Sequence, residues 1–121
     1  MSKASKVIAT FKVPGFHNWP DAPDGERYLR ASHRHLFTFR IEVDVSHADR
    51  DVEFHVLLAH AKARIVSRLY DATNDVHGYD FGAQSCEHLA QGLHDRLSSQ
   101  FPSISAIEVW EDDECGARLE F

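Results

Sequence analysis

The chain has 121 residues, 43% of them hydrophobic, and a formal net charge of −6 at pH 7. That length makes one domain, spanning residues 1–121, with enough chain for a real core. The negative balance argues against nucleic acid or an anionic membrane as partner, because both select basic faces. Lys6–Val13 reads as a first strand, stopped by Pro14-Gly15. Asn18 to Glu26, with Pro20, Pro23, Gly25 and several aspartates, is a loop by composition, and long loops in compact domains are often functional. A second strand covers about His33 to His47: Phe37, Phe39, Ile41, Val43 and Val45 fall on one parity, and Thr38, Arg40, Glu42 and Asp44 on the other. His47–Asp51 is the turn that follows. Val56, Leu57, Ala59, Ala63, Val66 and Leu69 then recur at helical spacing, predicting a helix from about Phe54 to Tyr70.

A polar segment, Asp71 to Gln84, comes next. Ser85 reads as the N-cap of a second helix, with Glu87 favourable in its first turn. Leu89, Leu93, Leu97 and Phe101 repeat every four residues, a stripe that Pro102 ends. Ile104–Trp110 and Ala117–Phe121 are the last strands, joined by an acidic turn. The order β-β-α-α-β-β predicts an α+β layer, a four-stranded antiparallel sheet with two helices on one face. A long second strand offers a surface for joining sheets between subunits, so a closed homo-oligomer is expected. No segment approaches the roughly 20 apolar residues of a membrane span, and the N-terminus has no secretory pattern. Cys86 and Cys115, the only cysteines, sit in no metal-finger or redox spacing, which points to free thiols in a reducing cytoplasm.

Nine histidines are many for this length and raise the prospect of a metal or proton-transfer site. His33 and His35 share the buried-side parity of the second strand, about 6–7 Å apart. Two imidazoles on one face, with a third from elsewhere, make the open three-histidine site of a catalytic zinc. His17, in the polar loop Gly15–Pro20, is the obvious third ligand. The alternative is a pair of partly buried histidines bonded to backbone. His47, His55, His60, His88 and His94 lie in a turn or in helices, in no ligand spacing with the pair. Trp19 either covers the site or packs its loop.

Several features, taken in order, resemble the 6-pyruvoyl- and 6-carboxy-tetrahydropterin synthases of the tunnelling fold. Phe11–His17 is similar to that family's first strand and first zinc histidine. Ser32-His33-Arg34-His35-Leu36 is similar to its His-Gly-His step, with Arg34 in place of glycine. Asp51-Val52-Glu53-Phe54 resembles the entry to the first helix, Leu69-Tyr70-Asp71 the Leu-Asp-His segment, and Ser85-Cys86-Glu87-His88-Leu89-Ala90 the opening of the second helix. Val109-Trp110-Glu111 resembles the Val-x-Glu-Thr segment.

The resemblance implies a zinc-dependent lyase acting on 7,8-dihydroneopterin triphosphate or a related pterin. Zn2+ would sit at His17, His33 and His35, and Glu111 would anchor the pterin through two parallel hydrogen bonds. It also implies a hexamer built as a dimer of trimers. The family's cysteine base, a few residues before the histidine pair, has no counterpart between Asp24 and Ser32, and Ala72 follows Asp71 where the family has histidine. Glu26 is then a candidate base, His77 a stand-in histidine beside Asp71, and Cys86 a thiol at a helix N-terminus or simply a small core residue. The competing expectation is a binding homologue that keeps metal and pterin or purine without the chemistry. A cupin-like oxygenase is disfavoured, because Phe39 and Arg40 stand where its glutamate would be and two helices occupy the middle of the chain.

Overall fold

A computed structural model of the chain describes residues 5–69 and 79–121, the last four of the first segment by backbone only. Strands β1 (Ser5–His17), β2 (His33–Val45), β3 (Tyr79–Asp80), β4 (Ile104–Glu111) and β5 (Cys115–Glu120) form one sheet in the order β3-β1-β2-β4-β5. Helices α1 (Phe54–Leu69) and α2 (Cys86–Leu97) pack on each other and on the sheet, and a short 3-10 helix spans Asp24–Leu29. The sheet is therefore mixed and five-stranded, in place of the expected four antiparallel strands. The four long strands do pair antiparallel, while β3 adds two residues parallel to β1, opposite Gly15 and Phe16. Two residues are too few to leave a periodic signal in sequence.

Alternation on β2 places Phe37, Phe39, Ile41 and Val43 on one face, each at most 1% exposed. Phe11 stands directly opposite Phe39 on the ladder, and their rings stack at 5.1 Å. Leu57, Ala61 and Ile65 of α1 close over this face, as do Leu89, Ala90, Leu93 and Leu97 of α2. Each large side chain withdrawn from water contributes about 1.5–3 kcal/mol. The buried stripe of α1 is thus an i, i+4, i+8 row. Val56, Ala59 and Ala63, part of the apolar pattern that predicts the helix, are exposed, Val56 to 50%. Helix α2 begins where its cap predicts, Ser85 Oγ accepting from His88 N at 3.1 Å. It ends at Leu97, one turn before Phe101, because Ser98 and Ser99 are weak helix formers and Pro102 bars the helical region to its predecessor.

Strand β1 runs through Pro14-Gly15, which the sequence reads as a stop. Phe16 O accepts from Phe81 N, so even-numbered residues of β1 aim their backbone groups away from β2. Pro14 shares that parity, and its missing N–H costs the ladder nothing. Gly15 is required by a close approach, since a Cβ there would lie 2.5 Å from Phe81 Cε2 and 3.0 Å from Phe37 Cδ2.

The helix-free face is polar. Glu42 and Glu108 are buried there, and Arg118 of β5 clasps both, donating at 2.6 Å to Glu42 Oε2 and 2.7 Å to Glu108 Oε2. Arg40 lies 3.4 and 3.2 Å from the same two carboxylates. The Arg118 hydrogen bond holds the Glu42 carboxyl below its usual range. Burial raises that of Glu108, but bonds from Trp110 and Arg118 leave it lowered as well. Among the described residues, no helix is long and apolar enough to cross a membrane.

Candidate metal centre

The site follows from strand register. β1 and β2 pair so that His17 stands opposite His33 and Gly15 opposite His35. His33 and His35 are two residues apart on one strand, hence on one face, and cross-strand neighbours on that face stand about 4.5–5.5 Å apart. The three rings accordingly meet, with centroids 4.6 Å (His17–His33), 5.0 Å (His33–His35) and 5.3 Å (His17–His35) apart. Phe37, fully buried, lies edge-on beneath His17 and His35. The structure thus brings His17, His33 and His35 together, and one ligand atom from each lies within 4.8 Å of the others. A tetrahedral ion with bonds of about 2.0–2.1 Å needs nitrogens about 3.3–3.4 Å apart, so ring movements on the order of an ångström close the set.

Each imidazole is also held from behind. His17 Nδ1 faces Gln84 O at 3.0 Å, His33 Nδ1 faces Ala31 O at 2.9 Å, and His35 Nδ1 faces Asp112 Oδ2 at 2.6 Å. An Nδ1–H donated outward leaves Nε2 as the ligating atom, the arrangement that fixes tautomer and ring orientation around a bound metal. Gly82, at φ 61, turns the chain that carries Gln84 O to His17. Asp112 also adopts a left-handed φ of 55, and its second oxygen accepts from Leu36 N at 2.8 Å.

On the inner side stands Glu111, with Oε2 2.9 Å from His17 Nε2 and Oε1 3.7 Å from His35 Nε2. Burial lowers the His17 pKa, but Glu111 and Gln84 O outweigh it and the net shift is upward. Glu111 is displaced downward, chiefly by its bond with His17. An imidazole with acceptors at both nitrogens requires positive charge between it and the inner carboxylate, either a proton or a metal ion. Three imidazoles clustered with two adjacent carboxylates, Glu111 and Asp112, suit a divalent cation, so the residues present fit zinc.

A cavity of about 470 Å³ opens beside the triad and is lined by His17, His33 and Glu111 among others. Trp19 and Leu29 wall it, tied together by a bond from Trp19 N to Leu29 O at 2.7 Å. Trp19 therefore faces the site. Cys86 belongs both to the core and to this cavity, and its thiol lies 3.6 Å from Glu111 Oε2. Burial, reinforced by Glu111, pushes the thiol up to about 12, so it is protonated at neutral pH.

The other expected groups fare differently. Glu26 lies exposed on the 3-10 helix and is absent from the cavity lining, although Leu29 of that helix is present. Asp71 and His77 lie outside the described residues. Among the described residues, no further histidine joins the triad. His47 lies 3.5 Å from Asp51, and His94 stacks on Phe121. Sequence reasoning missed Asp112, Gln84 O and Ala31 O. The one available signal was an Asp-Asp pair just after a strand, a residue type that tolerates left-handed turns.

No protein-family model matches the sequence, and no curated protein matches it. Solved structures do match over nearly the whole chain. An uncharacterized protein from Wolinella succinogenes is 12% identical with a TM-score of 0.70, the alignment covering 98% of this chain and 99% of that one. The 6-pyruvoyl tetrahydropterin synthase of Caenorhabditis elegans is 11% identical with a TM-score of 0.62, covering 98% and 96%. The chain has the fold of the 6-pyruvoyl tetrahydropterin synthases.

Proposed function

We propose that a chain with this fold and this triad is a zinc-dependent lyase of the 6-pyruvoyl/6-carboxy-tetrahydropterin synthase type, acting on 7,8-dihydroneopterin triphosphate or a related pterin. The observation that carries the proposal is the set of three clustered imidazoles, each held at Nδ1, beside a cavity that His17, His33 and the carboxylate of Glu111 line. His17, His33 and His35 would hold the zinc, which when bound supplies Lewis acidity towards the side-chain hydroxyls of the substrate. Glu111 would anchor the heterocycle by accepting from its 2-amino group and ring N–H. Trp19 and Leu29 would form one wall of the substrate cavity. Cys86, protonated, is a donor rather than a base. In this reading Glu26 would be the base, and His77 would stand in beside Asp71 for the histidine the family pattern has there.

Glu26 is exposed and outside the cavity lining, which favours a second reading: a homologue that binds metal and a pterin or purine but is catalytically altered or inactive. We further propose a cytoplasmic homo-oligomer, a hexamer as a dimer of trimers, without nucleic-acid or membrane partners. Its support is the outer edge of β5 and the stretch of β1 beyond β3, which no described strand covers. The deciding experiment incubates zinc-loaded protein with 7,8-dihydroneopterin and with its triphosphate, resolving products by chromatography and mass. A new pterin, lost in His33→Ala along with bound zinc, supports the lyase. Stoichiometric zinc and tight pterin binding without turnover support the second reading.

A further inference from the structure

We propose that Glu111 is an exchangeable fourth ligand, which closes the metal site while the cavity is empty and opens it when a heterocycle claims the carboxylate. The proposal rests on the reading above, with zinc at the triad and a pterin at Glu111, and adds that one side chain serves both in turn. Four protein ligands make a closed, structural zinc site, whereas a catalytic site keeps three and leaves one position for substrate. His17, His33 and His35 supply three. Glu111 stands beside them as a fourth.

Donors around a tetrahedral zinc lie about 3.3–3.4 Å from one another. The carboxylate brackets that value, with Oε2 2.9 Å from His17 Nε2 and Oε1 3.7 Å from His35 Nε2. These are the nitrogens left for a metal once each Nδ1 is engaged, by Gln84 O and by Asp112 Oδ2. His33 and the carboxylate join through the same movements, on the order of an ångström, that the rings themselves need. A coordinated Nε2 carries no hydrogen, so a metal ion takes from Oε2 its bond with His17. Among the described residues, the partner that then remains for Oε2 is the Cys86 thiol at 3.6 Å, a weak donor. A half-buried carboxylate so loosely held turns to the adjacent cation, whose attraction is far stronger.

The neighbouring carboxylate behaves differently. Asp112 is pinned outside the triad, one oxygen on His35 Nδ1 and the other on Leu36 N. Glu111 is the movable one, and its side chain also lines the cavity. There a 2-amino group and a ring N–H offer it two parallel hydrogen bonds. The position it leaves passes to water or to a substrate hydroxyl, so the metal keeps four donors and the exchange is close to balanced. His17, His35, Glu111 and Cys86 all belong to one copy of the chain, so the arrangement does not depend on what a neighbouring copy adds to the cavity.

The test titrates the cobalt-substituted protein with imidazole and follows the visible spectrum, with and without saturating 7,8-dihydropterin. Imidazole is a neutral monodentate donor, so its affinity reports an open position rather than the charge of Glu111. Dihydropterin has the 2-amino group and ring N–H but no side-chain hydroxyl to occupy the metal, and its own binding is followed by calorimetry. Imidazole should bind the wild type weakly, and at least about tenfold tighter once dihydropterin is bound. Glu111→Gln should bind imidazole tightly from the start and gain nothing from dihydropterin. Equal imidazole affinity in the wild type with and without bound dihydropterin, or in the wild type and Glu111→Gln, overturns the inference and leaves the pterin reading standing. Failure of the metal-loaded wild type to bind dihydropterin overturns the pterin reading and this inference with it.

Discussion

Replacing Asp112 by asparagine tests the triad through a residue that would not itself touch the metal. Asp112 Oδ2 accepts from His35 Nδ1 at 2.6 Å while Oδ1 holds Leu36 N. The residue sits at φ 55, where asparagine is tolerated about as well as aspartate and alanine is not. Asparagine therefore keeps the turn and an acceptor for His35, and removes the negative charge that makes this imidazole a better donor to a cation. Loss of such an outer partner costs 10–100-fold in metal affinity as a rule. The Asp112 side chain is 43% exposed, and water screens it, so the low end applies. The expected loss is about tenfold, or about 1.4 kcal/mol. His17 and His33, held by backbone carbonyls, are untouched. Zinc affinity is read by competition with a chromophoric chelator, with the absorption of the cobalt-substituted protein as a check on coordination. Asp112→Ala should lose more, near a hundredfold, and about 1 kcal/mol of fold stability as well. Wild-type zinc affinity in both variants would refute the account of three imidazoles held from behind.

Gly15→Ala should cost about 1–3 kcal/mol in urea unfolding, because its Cβ meets the Phe81 and Phe37 rings, and should weaken zinc binding through Phe37; wild-type stability would show the packing to be looser than described. Arg118→Met should destabilise the fold in urea unfolding, because it leaves the two buried carboxylates to Arg40 alone, at 3.4 and 3.2 Å. Because the Glu42 carboxyl is held below its unfolded value, that stabilisation is complete above about pH 4.3 and is lost as pH falls through the folded value. The difference between wild type and variant should therefore shrink in acid, and a difference independent of pH would count against the ion cluster. For the thiols, a value near 12 leaves roughly one part in ten thousand of Cys86 as thiolate at pH 8. A disulfide reagent should find one fast thiol, the exposed Cys115, in the folded protein and two in denaturant; two fast thiols in the native state would contradict the burial of Cys86.

Much of this was legible because parity is a local property. Phe37, Phe39 and Ile41 announce the core face of β2, and His33 and His35 inherit that face wherever the strand ends up. The Ser85 cap and the Leu89/Leu93/Leu97 stripe are local in the same way. What stayed hidden depends on pairing between distant segments. Asp112 reaches His35 only because β4 lies beside β2 and the chain then turns through two left-handed residues. Pro14 reads as a breaker until one knows that its N–H side faces away from β2. The spacing predicts helix α1 but does not single out its buried side, because apolar residues occur on several faces and the sheet selects Leu57, Ala61 and Ile65 among them.

The ladder between β1 and β2 also constrains how such a chain can change over generations. Every pair from Ser5 and Val45 to His17 and His33 lies in unbroken register, so one residue gained or lost inside either strand throws the ligands and the phenylalanine core to the wrong face together. Insertions and deletions there are doubly penalised. Residues 18–32 face no such penalty, because the ladder clamps both ends of the segment whatever its length, and longer loops add closure cost only slowly. That stretch, which carries Trp19 and Leu29, behaves as a replaceable cassette: descendants, or a protein engineer, can redesign the wall that meets the substrate while leaving the metal-binding histidines in place.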